Sequence, residues 1–356
     1  MEDQGGTVSA AREKEWLLLE MTATVDSVPM MLECCRAVLS GDIDDDTVMS
    51  AKRIVSARTT SLEHGPGDPA LQADMNRWLA CYGHVPPVMG LPAHKAVVES
   101  TAGDVRSASF DLFTSGAAHL VVVGDVDPAR LIDDIEPVAN VIRGTTRIET
   151  STALVKHNEP RLITQSAPAF RRTSIRLAYP TPSADSQKQL LSRIVSAVIL
   201  GGTPQSRLGR VFRDELGVAY DVSALTSRAL DADCLLVNAD IANESAQESV
   251  DRLYTLLSDF AGAGPTQQEI DDAIRFLNNT YDSAWSTLLG RAMFVVTYIT
   301  SHLRLEDIRS VKEELSRLSI DDVTEFARML RPELFYGAVS SGFHNLNVAW
   351  HVRRAS

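Results

Sequence analysis

Apolar positions along the chain recur mostly at helical spacing, broken by short β-branched runs between turn residues. Residues 14–24 (KEWLLLEMTAT) read as a strand that enters a helix. That helix starts near Asp26 or Ser27, with Pro29 just inside it, and runs to Gly41. A second helix is expected over 44–62, with Val48, Met49, Ile54 and Val55 on its apolar positions, and Gly65 to Pro69 end it. Helices follow at 70–82, 103–115 and 128–141. Between the last two, the run His119 to Val123 is short, β-branched and bounded by Gly124-Asp125, the pattern of a buried strand.

The stretch 143–160 is polar, weakly periodic and ends in Pro160, so it reads as a linker. Beyond it, strands are expected at 161–167 and 172–179, where Pro180 and Pro182 break the pattern. A helix over 185–200 stops at Gly201-Gly202, and 203–217 is helical with a glycine turn. The segments 218–227 and 233–241 alternate as strands do. Helices are expected over 244–261, 267–300, 305–316 and 320–330, and Leu334 to Val339 reads as a closing strand. Thr266 and Glu269 have the spacing of a capping box. Helix then strand at 103–123 parallels helix then strand at 320–339, and the helix at 44–62 parallels the one from 267. The pattern predicts an α+β fold of two similar halves, 1–142 and 161–356.

Composition narrows the chemistry. With 34 basic and 47 acidic residues the net charge is −13, a poor match to nucleic acid or an anionic membrane. At 44% hydrophobic residues the chain is ordinary for a folded protein, and no run of about 18 apolar residues offers a membrane span. The N-terminal residues MEDQGGTVSAAREKEW carry neither the basic nor the apolar region of a secretory signal. The four cysteines, Cys34, Cys35, Cys81 and Cys234, then read as reduced thiols of a cytoplasmic protein, with Cys34 and Cys35 buried on a helix.

Motif spacing excludes several activities. There is no G-x-G-x-x-G, no P-loop, no G-x-S-x-G and no C-x-x-C. Eight histidines offer no H-E-x-x-H or H-x-x-E-H. The nearest approach is Thr60 to His64, with Thr where the first His would stand, and it reads as a helix end. No cofactor or metal site is expected in this chain.

The most specific stretch is Leu200 to Ala224, LGGTPQSRLGRVFRDELGVAYDVSA. It resembles the second-half signature of the insulinase/pitrilysin-type (M16) metallopeptidases: a Gly-rich turn, Ser-Arg-Leu, a helix ending in R-x-x-x-G-[LV]-A-Y, then a strand. Pro265 to Leu277 resembles that family's helix after its G-[VP]-T-x-x-E turn. Leu120 to Asp127 resembles its VVVGDVD strand, and residues 15–40 resemble the strand and helix that follow its zinc helix.

The resemblance implies two similar α+β halves, each a mostly antiparallel sheet packed with helices, the N-terminal half truncated. It also implies two losses. The H-x-x-E-H helix would lie upstream of residue 15, and Arg58 (or Ala57) stands where the third zinc ligand, a Glu, would be. Arg213 and Tyr220, seven residues apart, match the pair that the family's second half lends to the zinc site of the first. A phenol donates a hydrogen bond to a peptide oxyanion, and a guanidinium holds an adjacent carbonyl in register. The competing reading makes Arg213 a surface ion-pair partner and Tyr220 a core filler. Ser206 and Arg207 are expected to shape the helix start, and Gly201, Gly202 and Gly217 to serve turns and close packing.

The implied role is a zinc-free subunit of a heterodimeric M16 peptidase. It would close a chamber over a peptide and supply Arg213 and Tyr220 in trans to a zinc-bearing, H-x-x-E-H partner, in precursor or leader-peptide processing. The alternative is a scaffold or peptide-binding subunit without a catalytic role.

Overall fold

The computed structural model describes residues 6–12, 16–41, 43–64, 67–85, 94–115, 118–142, 159–182, 184, 186–229, 232–301, 303–343, 346–348 and 350. In chain order these form β1 (Thr7–Arg12), β2 (Leu17–Thr22), α1 (Val28–Leu39), α2 (Asp45–His64), α3 (Pro69–Tyr82), α4 (His94–Glu99), α5 (Ala102–Ser115) and α6 (Pro128–Ala139). Then come β3 (Leu162–Ser166), β4 (Thr173–Thr181), α7 (Gln187–Ala197), α8 (Arg207–Gly209), β5 (Ala219–Ala229), β6 (Ala232–Ile241), α9 (Ala246–Ala263) and α10 (Gln267–Trp285). The last are α11 (Leu288–Thr300), α12 (Val311–Ser316), α13 (Ile320–Met329) and β7 (Tyr336–Ser341). Wider π-type turns extend α7 over Val198–Gly202 and α8 over Arg210–Glu215.

Two compact units interleave along the sequence. One comprises Met1–Glu63, Leu91–Ser151 and Ser283–Leu305; the other comprises His64–Gly90, Thr152–Asp282 and Glu306–Ser356. They differ from the expected single cut at 143–160, most of which lies outside the described residues. The physical reason is visible in α3. Asp68 caps it, its side chain accepting from Ala70 N at 3.0 Å, and Gly83 ends it at φ 77°. Its face of Trp78, Ala80, Cys81 and Tyr82 buries against Ala178, Cys234, Leu236 and Tyr336 of the second unit's sheet. This helix, assigned by position to the first half, belongs by packing to the sheet of the second.

That sheet has the order β3-β7-β4-β6-β5. Only the β3–β7 pair is parallel. The strand expected at 172–179 continues through Pro180 to Thr181. The ladder to β7 ends at Ala178, so farther along β4 has a neighbour on one side only and tolerates a residue with no N–H. Leu177, Leu200, Leu208, Phe212, Leu235, Leu253, Phe260 and Phe335 are fully buried in this unit. Each such side chain contributes about 2–3 kcal/mol of burial. The capping box of Ser319 and Asp322 starts α13 as its sequence spacing suggests.

The first unit holds the β1–β2 hairpin, paired from Thr7↔Thr22 to Arg12↔Leu17. Helix α1 follows a 3-10 turn at Val25–Ser27, and Ser27 makes no side-chain cap. Gly41, at φ 71°, ends the segment. Three expectations change here. His119 to Val123 is not in a strand: it pairs with no described strand, and Leu120 and Val122 are exposed. β-branching favours extended backbone, but a strand needs a neighbour to pair with. The helix expected over 267–300 is two helices, because Thr287 accepts from Gly290 N at 3.0 Å and starts a new one. A Cβ at Gly290 would collide with the Ala284 carbonyl, which shows how tightly the chain turns there. Cys34 and Cys35 are half-buried rather than buried; all four cysteines are free thiols.

Candidate functional site

The site grows out of the chain between Gly201 and Asp221. Gly201 lets this segment press on β5: a Cβ there would lie 2.3 Å from the Ala224 nitrogen. Ser206 starts the next helix, its hydroxyl accepting from Gly209 N at 3.2 Å. Arg207 makes a two-pronged ion pair with Glu269, Nε and Nη2 each donating at 2.8 Å, and Nη2 also reaches the Gly264 carbonyl at 2.9 Å. Glu269 in turn accepts from Thr266 N at 2.8 Å, completing the predicted capping box of α10. Burial pushes the Glu269 carboxyl up, but hydrogen bonds and charge from Arg207 and Thr266 outweigh it and hold the group at about 2.

Fully buried Phe212 anchors the last turn, and the next residue, Arg213, is exposed. Gly217 then reverses the chain at φ 64°, a left-handed conformation that glycine adopts without strain. Leu216 N donates to the Val211 carbonyl and Val218 N to the Phe212 carbonyl, each at 3.0 Å. β5 begins with an irregularity. Ala219 pairs with Ile241 and Asp221 with Asp240, so Tyr220 is an extra residue without a partner on β6. Such bulges re-aim side chains. Tyr220 is 69% exposed.

Neither competing reading of the pair holds. Tyr220 is not in the core, and among the described residues Arg213 has no ion pair. Both residues are exposed. Tyr220 also lines a cleft of about 590 Å³ with Gly67, Asp68, Pro69, Ala169, Arg171 and Arg172. Arg213 is not among the residues lining it. Sequence reasoning missed Arg171 and Arg172; the signal was an Arg-Arg pair directly before a strand, on an acidic chain.

Among the described residues no group of three or more His, Cys, Asp or Glu side chains is placed to hold a metal ion. The backbone at the third-ligand position, Arg58, is helical, and Thr59 Oγ1 lies 2.9 Å from His94 Nδ1. The side chains of 61–64 lie outside the described residues. No helix among the described residues is long and apolar enough to cross a membrane.

Residues 100–277, half of the chain, match the family model described as the peptidase M16 inactive domain. The chain belongs to the peptidase M16 inactive-domain family. The α+β architecture expected from the sequence is that family's fold. A solved peptidase M16 inactive domain from Pseudomonas fluorescens superposes with a TM-score of 0.83 at 16% identity, covering 97% of this chain and 83% of that one. A protease from Helicobacter pylori superposes at 0.75 with 13% identity, covering 96% and 83%. Among curated proteins, the Helicobacter pylori non-peptidase homologue YmxG is 24% identical over 149 residues. That match spans 42% of this chain and about a third, 34%, of the relative. In this M16 chain the family-model match, residues 100–277, covers Gly201 to Tyr220 and the start of α10.

Proposed function

We propose that this M16 chain is the zinc-free subunit of a two-chain peptidase. It presents Arg213 and Tyr220 to a polypeptide whose scissile bond is attacked on the partner. The observation that carries this reading is the bulge at Tyr220, which leaves the phenol 69% exposed at the start of an otherwise regular strand. Arg213, exposed beside buried Phe212, supports it. An exposed phenol donates to a developing oxyanion, and an unpaired guanidinium is available to a peptide carbonyl. The partner is an H-x-x-E-H-bearing family member that supplies zinc and the activated water. The reaction is peptide-bond hydrolysis in an unfolded precursor or leader peptide. Four free thiols agree with a cytoplasmic setting.

The test is reconstitution. The chain alone binds no stoichiometric zinc and cleaves no peptide. Mixed with its partner it restores cleavage, and Arg213→Ala or Tyr220→Phe lowers kcat. Unchanged turnover in both variants refutes the role in trans. A second reading, a scaffold chain without a catalytic role, draws on the relative that is a non-peptidase homologue. A complex that forms stably without any zinc-bearing subunit favours it.

A further inference from the structure

The cleft beside Tyr220 has a chemistry that the Arg213/Tyr220 pair does not account for. Its charged lining residues are Arg171, Arg172 and Asp68. On a chain of net charge −13, two adjacent arginines facing one carboxylate reverse the prevailing sign. Arg171 is exposed. Arg172 donates from Nη2 to Asp68 Oδ1 at 3.0 Å, while its Nε is enclosed with no hydrogen-bond acceptor. That nitrogen is closed to an incoming ligand, so Arg172 lends the cleft its charge, while Arg171 offers it an exposed guanidinium. Asp68 is shared, because the same Oδ1 accepts from Ala70 N at 3.0 Å as the cap of α3.

The loop bearing the arginines is anchored rather than loose. Phe170, next to Arg171, is 4% exposed. Its N–H donates to the Ala167 carbonyl at 3.0 Å, and its carbonyl accepts from Asn243 Nδ2 at 2.9 Å. Two glycines fit around it: a Cβ on Gly67 would touch the Phe170 ring at 3.1 Å, and one on Gly342 would collide with the Phe170 carbonyl. Arg171 and Arg172 thus leave a fixed turn, opposite the capped N-terminus of α3 and beside the bulge that turns out Tyr220. Fixed donors lose little freedom on binding.

We infer that this cleft binds a carboxylate of the polypeptide whose backbone meets Tyr220, with exposed Arg171 as its donor and the charge of Arg172, held in place by Asp68, behind it. Planar guanidinium groups suit a carboxylate with two oxygens. The inference rests on the proposed function, since it assumes that the ligand is a polypeptide, and it adds a preference: an acidic side chain or a free C-terminal carboxylate at a fixed offset from the residue at Tyr220.

The test is isothermal titration of the full chain with unlabelled nonapeptides. One pool carries a single Glu at each position in turn, with an amidated C-terminus. A second peptide is neutral with a free C-terminal carboxylate, and a third is neutral and amidated. At least one carboxylate-bearing probe binds tenfold or more tighter than the neutral amidated peptide, and the arm that does so identifies the source. Arg171→Ala removes about tenfold of that preference. Asp68→Asn keeps a capping oxygen for α3 but removes the competing charge, so it tightens the acidic probe threefold or more. Equal binding of the acidic and neutral probes, or a preference indifferent to Arg171→Ala, overturns the carboxylate site. If Arg213→Ala and Tyr220→Phe still weaken the neutral peptide in that case, the proposed function stands without it. If the Arg171-dependent preference survives while those two variants change nothing, the carboxylate site stands and the role of the pair falls. No binding by any probe overturns both.

Discussion

Replacing Glu269 with Gln removes a charge while leaving an oxygen that can still cap α10. In the folded protein this carboxylate meets both prongs of Arg207 at 2.8 Å and Arg210 Nη2 at 3.3 Å, and its side chain is only 19% exposed. Its pKa lies at about 2 against an ordinary 4.5. At 1.36 kcal/mol per unit, the ionised form contributes about 3 kcal/mol to the folded state at neutral pH. The sign is that of a depressed acid: the contribution is complete above pH 4.5 and fades as pH falls toward 2, with about half left at pH 3. Urea unfolding followed by far-UV circular dichroism at pH 7, 5 and 3 checks this. The wild type should exceed Glu269→Gln by about 3 kcal/mol at pH 7 and pH 5, and by about half as much at pH 3. A gap that does not change between pH 7 and pH 3, or one below about 0.5 kcal/mol at pH 7, refutes the reasoning. The same pair ties the start of the Arg213-bearing segment to α10, so the variant should also loosen amide protection over 207–217.

Other substitutions separate packing from conformation. Gly201→Ala drives a Cβ into the Ala224 nitrogen and should cost about 3 kcal/mol or more, read as a lower Tm. Gly217→Ala meets no atom within 4 Å and suffers only from its φ of 64°, so it should cost about 1 kcal/mol. Equal costs at the two sites would contradict that division. Arg77, 5% exposed, pairs with Asp74 and donates to Asn238 at 2.8 Å; Arg77→Ala should cost about 3–5 kcal/mol in unfolding free energy by leaving these groups unpaired.

Local chemistry was the legible part of this chain. Cap residues such as Thr266 and Ser319, turn glycines at 41 and 217, and the alternation of β5 and β6 all act within a few residues, and all appear where their spacing put them. Long-range pairing was less legible. The apolar run at 119–123 has the composition of a strand, but composition cannot supply the neighbour that turns an extended segment into sheet. α3 shows no sign in its own sequence that its apolar face meets β4 and β7, about a hundred and more than two hundred and fifty residues away. The split at Thr287 lay in a Ser-Thr pair that could equally have stayed inside one long helix. At the site, the motif picked out Arg213 and Tyr220, whereas their exposure depends on a bulge that exists only against β6. Arg171 and Arg172 came into view only when folding brought the turn before β4 beside Tyr220.

The central claim is that Arg213 and Tyr220 serve a reaction completed by another chain. The most direct measurement is kcat for peptide cleavage by the reconstituted pair of this chain and an H-x-x-E-H-bearing family member. Wild type is compared with Arg213→Ala and Tyr220→Phe after complex formation has been verified by gel filtration. The account predicts no turnover by either chain alone, turnover by the pair, and a loss of tenfold or more in kcat in each variant with the complex intact. Full turnover by the partner alone, or by the pair carrying both substitutions, would contradict it.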